Sequence, residues 1–177
     1  MKKKLVTEMG RIGCEEFKNS TKLPLTVVLD NVRSLHNVGS VFRTSDAFRV
    51  ERILLCGITA TPPSAEIHKT ALGAEDVVDW QYFTETTEAV AMLKSEGYKV
   101  CSIEQCNGSI ALQSFEVEPG ARYALVLGNE VKGVQQQVVD ASDAAIEIPQ
   151  FGTKHSLNVS VTAGMVIWEF AKKFGWV

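Results

Sequence analysis

The sequence predicts an α/β domain with a mostly parallel sheet and helices on both faces. Three observations lead there. Short apolar, β-branched runs alternate with runs of helical period. The 177 residues are 45% hydrophobic and 22% charged, which suits one domain with a sizeable core. Three of the strand ends run into polar or glycine-rich turns, the place where such sheets bind ligands.

The elements follow in order. Leu25–Asp30 (LTVVLD) reads as a buried strand and His36–Phe48 as a helix with Val38, Val41 and Phe42 on its apolar face. Arg52–Gly57 is the next strand and Ser64–Leu72 a short helix. Thr84–Gly97 is a helix stopped by glycine, followed by the strand YKVCSI. Tyr123–Gly128 is a strand, Gly133–Ser142 a helix and Ala144–Pro149 the last strand. Ser156–Phe174 is the last helix, with Lys172 and Lys173 in its final turn to suit the helix dipole. Leu157, Val161, Met165 and Trp168 form one stripe on it, while Val159, Val166, Ile167 and Phe170 cover other sides. A helix apolar on most of its circumference is expected in a deep core or a subunit interface. The whole chain, residues 1–177, is expected to be one domain with a short N-terminal extension over about residues 1–22.

Net charge is −3 and the sequence pI about 5.7, which argues against nucleic-acid binding by bulk charge and leaves a local basic patch open. The segment Met1–Lys22 carries Lys2, Lys3, Lys4, Arg11, Lys18 and Lys22, and is expected to form a basic helix. No apolar run approaches the roughly 20 residues of a membrane span, and no secretion signal is read, so a cytoplasmic location is expected. Cys14, Cys56, Cys101 and Cys106 have no zinc-type spacing and are expected to be free, buried thiols. No metal site is expected.

Taken one at a time, the polar turns say little. In GNEVKG, the spacing of Gly128 and Gly133 imitates a P-loop, but Val134 and Gln135 stand where Lys and Ser/Thr are needed. Asn37 is a plausible helix cap. Gly39 and Ser40 lie one turn below Arg43, leaving room for a substrate beside a guanidinium suited to phosphate. His36, His68 and His155 read as polar or capping residues, and Ser156 lacks the GxSxG elbow of a hydrolase.

Together the turns are specific. The ordered set HNVGSVFRT, LVLGNEVKG and IPQFGTKHSLNVSV strongly resembles the SpoU/TrmH-type RNA ribose 2′-O-methyltransferases of the SPOUT superfamily. The matching positions are Asn37, Gly39, Arg43 and Thr44; Gly128, Glu130 and Gly133; and Ile148, Pro149, Gly152, Ser156, Leu157 and Asn158. The stretch His68–Trp80 also looks familial, and the likeness spans roughly Leu25 to Phe170.

The resemblance implies a deep C-terminal trefoil knot, a homodimer with its active site at the subunit interface, and S-adenosylmethionine as cofactor. It places the cofactor against Gly128, Ile148 and Leu157, with weaker claims for Leu127 and Pro149. It gives Arg43 the central catalytic role, with Asn37, Glu130, Ser156 and Asn158 holding Arg43 and the ribose. The implied reaction is methyl transfer to a ribose 2′-hydroxyl of tRNA or ribosomal RNA. A non-catalytic RNA-binding or assembly factor on the same fold is the alternative, and an NTPase is disfavoured by the failed P-loop.

Overall fold

The computed structural model describes residues 1–177, the side chain of Val6 excepted. Seven strands form one sheet: β1 (Leu23–Asp30), β2 (Val50–Cys56), β3 (Asp79–Phe83), β4 (Tyr98–Ile103), β5 (Ile110–Ala111), β6 (Arg122–Leu127) and β7 (Ala144–Glu147). Their order is β3-β2-β1-β6-β4-β7-β5, and every pairing is parallel. Six α-helices accompany them: α1 (Cys14–Asn19), α2 (Leu35–Ala47), α3 (Ala65–Ala71), α4 (Thr86–Ser95), α5 (Gln136–Ala141) and α6 (Val159–Lys173).

Both faces of the sheet are covered, which explains why the central strands are mostly apolar and do not alternate with polar residues. Along β1, Val27 and Leu29 join a core with Val41 and Phe42 of α2, Ile67 of α3 and Val166 and Phe170 of α6. Val28, between them, joins a second core with Val90 and Leu93 of α4 and Val138 of α5. This is the two-residue period of a strand read from both sides.

Several details differ from the sequence expectation, and β5, only two residues long, has no predicted counterpart. β3 has no predicted counterpart, because DWQYF is an exposed edge strand without an apolar run. α5 starts three residues late, since Gly133 and Val134 are consumed by a turn and the Gln135 N–H bonds Asp30. α6 starts at Val159 rather than Ser156. Asn158 is its cap, with Oδ1 accepting from the N–H groups of Ser160 (2.8 Å) and Val161 (3.3 Å). Nor is α6 buried all round. Its Val159, Ala163, Val166, Ile167 and Phe170 are buried, but Val161 (53%), Met165 (41%) and Trp168 (48%) stay exposed as a stripe.

The N-terminal segment holds a 3₁₀ turn over Val6–Glu8 and the short α1, whose Phe17 is buried in the main core. Of the cysteines, only Cys56 and Cys101 are buried; Cys14 is exposed and Cys106 half-buried. Burial pushes the Cys56 and Cys101 thiols up to about 12, so both stay protonated and inert near neutrality. In the folded protein an aromatic disulfide reagent should therefore titrate Cys14 and then Cys106, with the other two appearing only in denaturant. Four fast thiols would contradict this core.

Candidate functional site

The C-terminal ends of β1, β6, β4 and β7 lie side by side in the sheet, so their connecting turns gather at one edge. A cleft of about 290 Å³ opens there. Leu127 and Gly128 from the end of β6, Ile148 beyond β7, and Ser156 and Leu157 before α6 all line it. Leu157 is 38% exposed, an apolar wall with nothing yet packed over it.

The turn Gly128–Gly133 is closed by its own backbone. Asn129 and Gly133 exchange N–H···O bonds of 3.0 and 2.9 Å. The Asn129 side chain accepts from the N–H groups of Val131 (2.9 Å) and Lys132 (3.0 Å) and donates to the Asn31 carbonyl (2.8 Å). Gly128 has no spare room: a Cβ there would lie 2.1 Å from the Gly133 carbonyl carbon and from the Val134 nitrogen.

Glu130 ties this turn to the start of α2. Its carboxylate accepts from the N–H groups of Arg33 and Ser34, each at 2.9 Å, and from the Asn37 side chain at 3.0 Å. Ser34, not Asn37, caps α2; Asn37 sits in the first turn and uses its amide as a bridge. The Asn37 Oδ1 accepts from Asn158 Nδ2 at 3.1 Å. One chain of contacts, Glu130–Asn37–Asn158, thus joins the turn after β6, the start of α2 and the start of α6.

Partial burial alone would raise the Glu130 pKa. The N–H groups of Arg33 and Ser34, with the Asn37 amide, outweigh it and hold the carboxyl below its ordinary value of 4.5. A lowered folded pKa stabilises the fold above the unfolded value and loses that contribution as pH falls through the folded one. Wild type should therefore exceed Glu130→Gln in urea midpoint near neutrality, and the gap should close below about pH 4. A gap independent of pH would show that the charge contributes nothing.

Arg43 is placed apart. It is exposed on α2, about 9 Å further along the axis than Asn37 and about 120° round from it. It does not line the cleft of its own chain. The space near Gly39 is not substrate room either, because a Cβ there would meet the Ile67 carbonyl and Thr70 Oγ1 at 2.2 Å. Gly39 lets α2 and α3 pack closely. Pro149 stands between the lining residues Ile148 and Gln150 without lining the cleft.

His68 pairs with the buried Glu75 at 2.5 Å, and Glu75 also accepts from the Gly73 N–H at 2.9 Å. These contacts brace the turn after α3, giving His68–Trp80 a structural role. His36 pairs with Glu66 at 3.1 Å. Glu104 and Gln105, which follow β4, line the cleft and were not anticipated. Glu104 accepts from the Val134 N–H at 2.9 Å and braces the Gly133 turn from beneath. Their only sequence signal is a polar pair at a strand end, without the glycines that mark the other turns.

Residues 24–168 match the SpoU rRNA Methylase family. The 23S rRNA (guanosine-2′-O-)-methyltransferase RlmB of Neisseria meningitidis serogroup B is 32% identical over 153 residues, covering 86% of this chain and 60% of that protein. An AdoMet-bound rRNA methyltransferase from Sinorhizobium meliloti superposes with a TM-score of 0.80 at 25% identity, covering 88% of this chain and 59% of that one. A TrmH/SpoU tRNA modifying enzyme of A. aeolicus gives a TM-score of 0.79 at 25% identity over 92% of this chain and 81% of its own. The chain thus spans about 60% of the length of the RlmB protein it matches.

Proposed function

This chain belongs to the SpoU rRNA methylase family, and from that premise we propose that it transfers a methyl group from S-adenosylmethionine to a ribose 2′-hydroxyl of a structured RNA, either tRNA or ribosomal RNA. The observation that carries the reading is the Glu130–Asn37–Asn158 chain, which holds the three motif segments together beside the cleft.

The cleft suits the cofactor. Ile148 and Leu157 offer apolar surface to an adenine ring, and the turn at Gly128, with Leu127 before it, offers backbone groups to the ring edge. When bound, S-adenosylmethionine supplies an electrophilic methyl group on a positively charged sulfur. Ser156, in the cleft lining, and Asn158, just beyond Leu157, hold the ribose, and Asn37, braced by Glu130, holds Asn158. Aligning the hydroxyl with the methyl group can lower a barrier by about 7–11 kcal/mol in favourable cases. Arg43, with its forked donors, binds a neighbouring phosphate and stabilises the developing alkoxide; as the S–CH3 bond breaks, the hydroxyl's proton passes to solvent and S-adenosylhomocysteine leaves.

Since Arg43 does not line its own chain's cleft, it serves the partner's cleft in a homodimer. The exposed stripe Val161, Met165 and Trp168 is the contact surface for that dimer. We further read residues 1–177 as one methyltransferase domain with a short N-terminal extension over about residues 1–22, and its C-terminal segment as knotted, an exception to the usual rule. In support, α6 follows β7 yet packs on α2, across the sheet from it. A cytoplasmic location fits an RNA-modifying enzyme.

The test is transfer from labelled S-adenosylmethionine to unmodified total tRNA and, separately, to unmodified ribosomal RNA, with the labelled nucleosides identified. Label in a 2′-O-methyl nucleoside is expected. No transfer to either RNA and no cofactor binding would favour a non-catalytic RNA-binding factor. Removing residues 1–10 takes away Lys2, Lys3 and Lys4 and spares Phe17 in the core. The truncated chain should bind RNA more weakly and with a shallower salt dependence; unchanged affinity would take the segment out of RNA binding.

A further inference from the structure

A second hollow, of about 990 Å³, shares Asn129, Val131, Lys132 and Gly133 with the cofactor cleft, while Glu130 lines the cleft alone. We propose that it holds single-stranded RNA flanking the methylated nucleotide, an assignment that rests on the function proposed above.

Charge is the first reason. The chain has 21 acidic residues against 18 Lys and Arg. Yet the eleven residues lining this hollow include Arg33 and Lys132 and no Asp or Glu. Both cations are exposed, and neither side chain has a hydrogen bond or ion pair among the described residues. They are placed to meet phosphates.

Apolar surface is the second. Ile58 (65% exposed) and Val131 (76%) line the same hollow. Neither sits on a loose loop. Asn31, in the left-handed region at φ 57°, accepts from the Ile58 N–H at 3.1 Å, and the Tyr82 hydroxyl donates to the Gly57 carbonyl at 3.0 Å. The Val131 N–H is held by Asn129. Two exposed aliphatic side chains on fixed turns, in the same hollow as two unpaired cations, fit base faces and their phosphates. Base faces are open to such contact only in unpaired RNA. Because Asn129, Val131, Lys132 and Gly133 line both hollows, a strand lying here passes directly beside the cofactor cleft.

The probe is a fluorescein-labelled oligouridylate, followed by anisotropy over a range of salt. Each lost phosphate contact removes about 0.7 from the slope of log K against log salt for a single strand. The double variant Arg33→Gln/Lys132→Gln should therefore flatten the slope by about 1.4. Ile58→Ser should lose affinity at every salt concentration and keep the wild-type slope. Methyl transfer to total tRNA and ribosomal RNA is measured alongside. If wild type methylates RNA but the double variant keeps its slope, or the oligonucleotide does not bind at all, the groove assignment is wrong and the activity stands. If wild type never methylates RNA but the slope falls as stated, the groove holds and the proposed reaction fails. If Ile58→Ser changes the oligomeric state and not RNA affinity, the hollow belongs to a second copy of the chain, and the RNA assignment is overturned.

Discussion

Arg43→Ala should abolish methyl transfer, lowering turnover by about a hundredfold or more, while S-adenosylmethionine binding survives. The magnitude is that of removing one donor aimed at charge developing in a transition state. The separation of binding from turnover follows from geometry. Arg43 is exposed on α2 and absent from the cleft lining, so truncating it removes nothing from the walls. Calorimetric titration of the cofactor and a labelled-methyl assay, run on the same preparation, check the two halves. Loss of cofactor binding in a folded variant would count against the assigned role.

The proposed dimer gives this prediction a sharper form. If Arg43 completes the partner's cleft, a chain lacking Arg43 keeps a good cleft, and a chain with a ruined cleft keeps a good Arg43. Each variant alone is dead. Mixed after dissociation and allowed to pair at random, the two should regain roughly a quarter of the wild-type sites, since half the dimers are mixed and each of those has one complete site. No recovery from stably mixed dimers would place Arg43 in its own chain's site.

Much of this is legible in the sequence, for physical reasons. Both faces of the sheet are buried, so Leu25–Asp30 and Tyr123–Leu127 show as mostly apolar runs without polar alternation. The three marked turns stand out because tight strand-to-helix turns need glycine and Asn. The edge strand Asp79–Phe83 did not show, because pairing on one side leaves its sequence free of a pattern. The sequence reading starts α6 at Ser156, three residues early, because Ser and Asn share capping chemistry; it is the Asn158 side-chain oxygen that reaches the free N–H groups. Local spacing also misassigned Gly39. Its small size is real, but the space it leaves is filled by Thr70 of α3, 31 residues along the chain. Glu104 illustrates the same limit, since a brace under a turn is defined by a contact across the sheet and not by its neighbours in sequence.

Gly128→Ala should remove cofactor binding, whereas Gly152→Ala, at another motif glycine, should leave it intact. Both belong to the motif set, and sequence alone gives no reason to separate them. The difference lies in what a methyl group would strike. At Gly152 nothing lies within 4 Å. At Gly128 a Cβ would stand 2.1 Å from two backbone atoms of Gly133 and Val134. Backbone cannot rotate aside as a flexible side chain can, so the turn must open. Opening it breaks the Asn129–Gly133 pair of hydrogen bonds and draws Val134 away from Glu104. It also moves Glu130, on which the start of α2 and Asn37 depend. The sheet itself is not at risk, because β6 ends at Leu127 and its partners pair before the turn. The expected variant is therefore folded by circular dichroism, cooperative in unfolding, and blind to S-adenosylmethionine. Retained binding in a folded Gly128→Ala protein would mean that the turn yields without disturbing the cleft, and that the cofactor does not rely on its backbone.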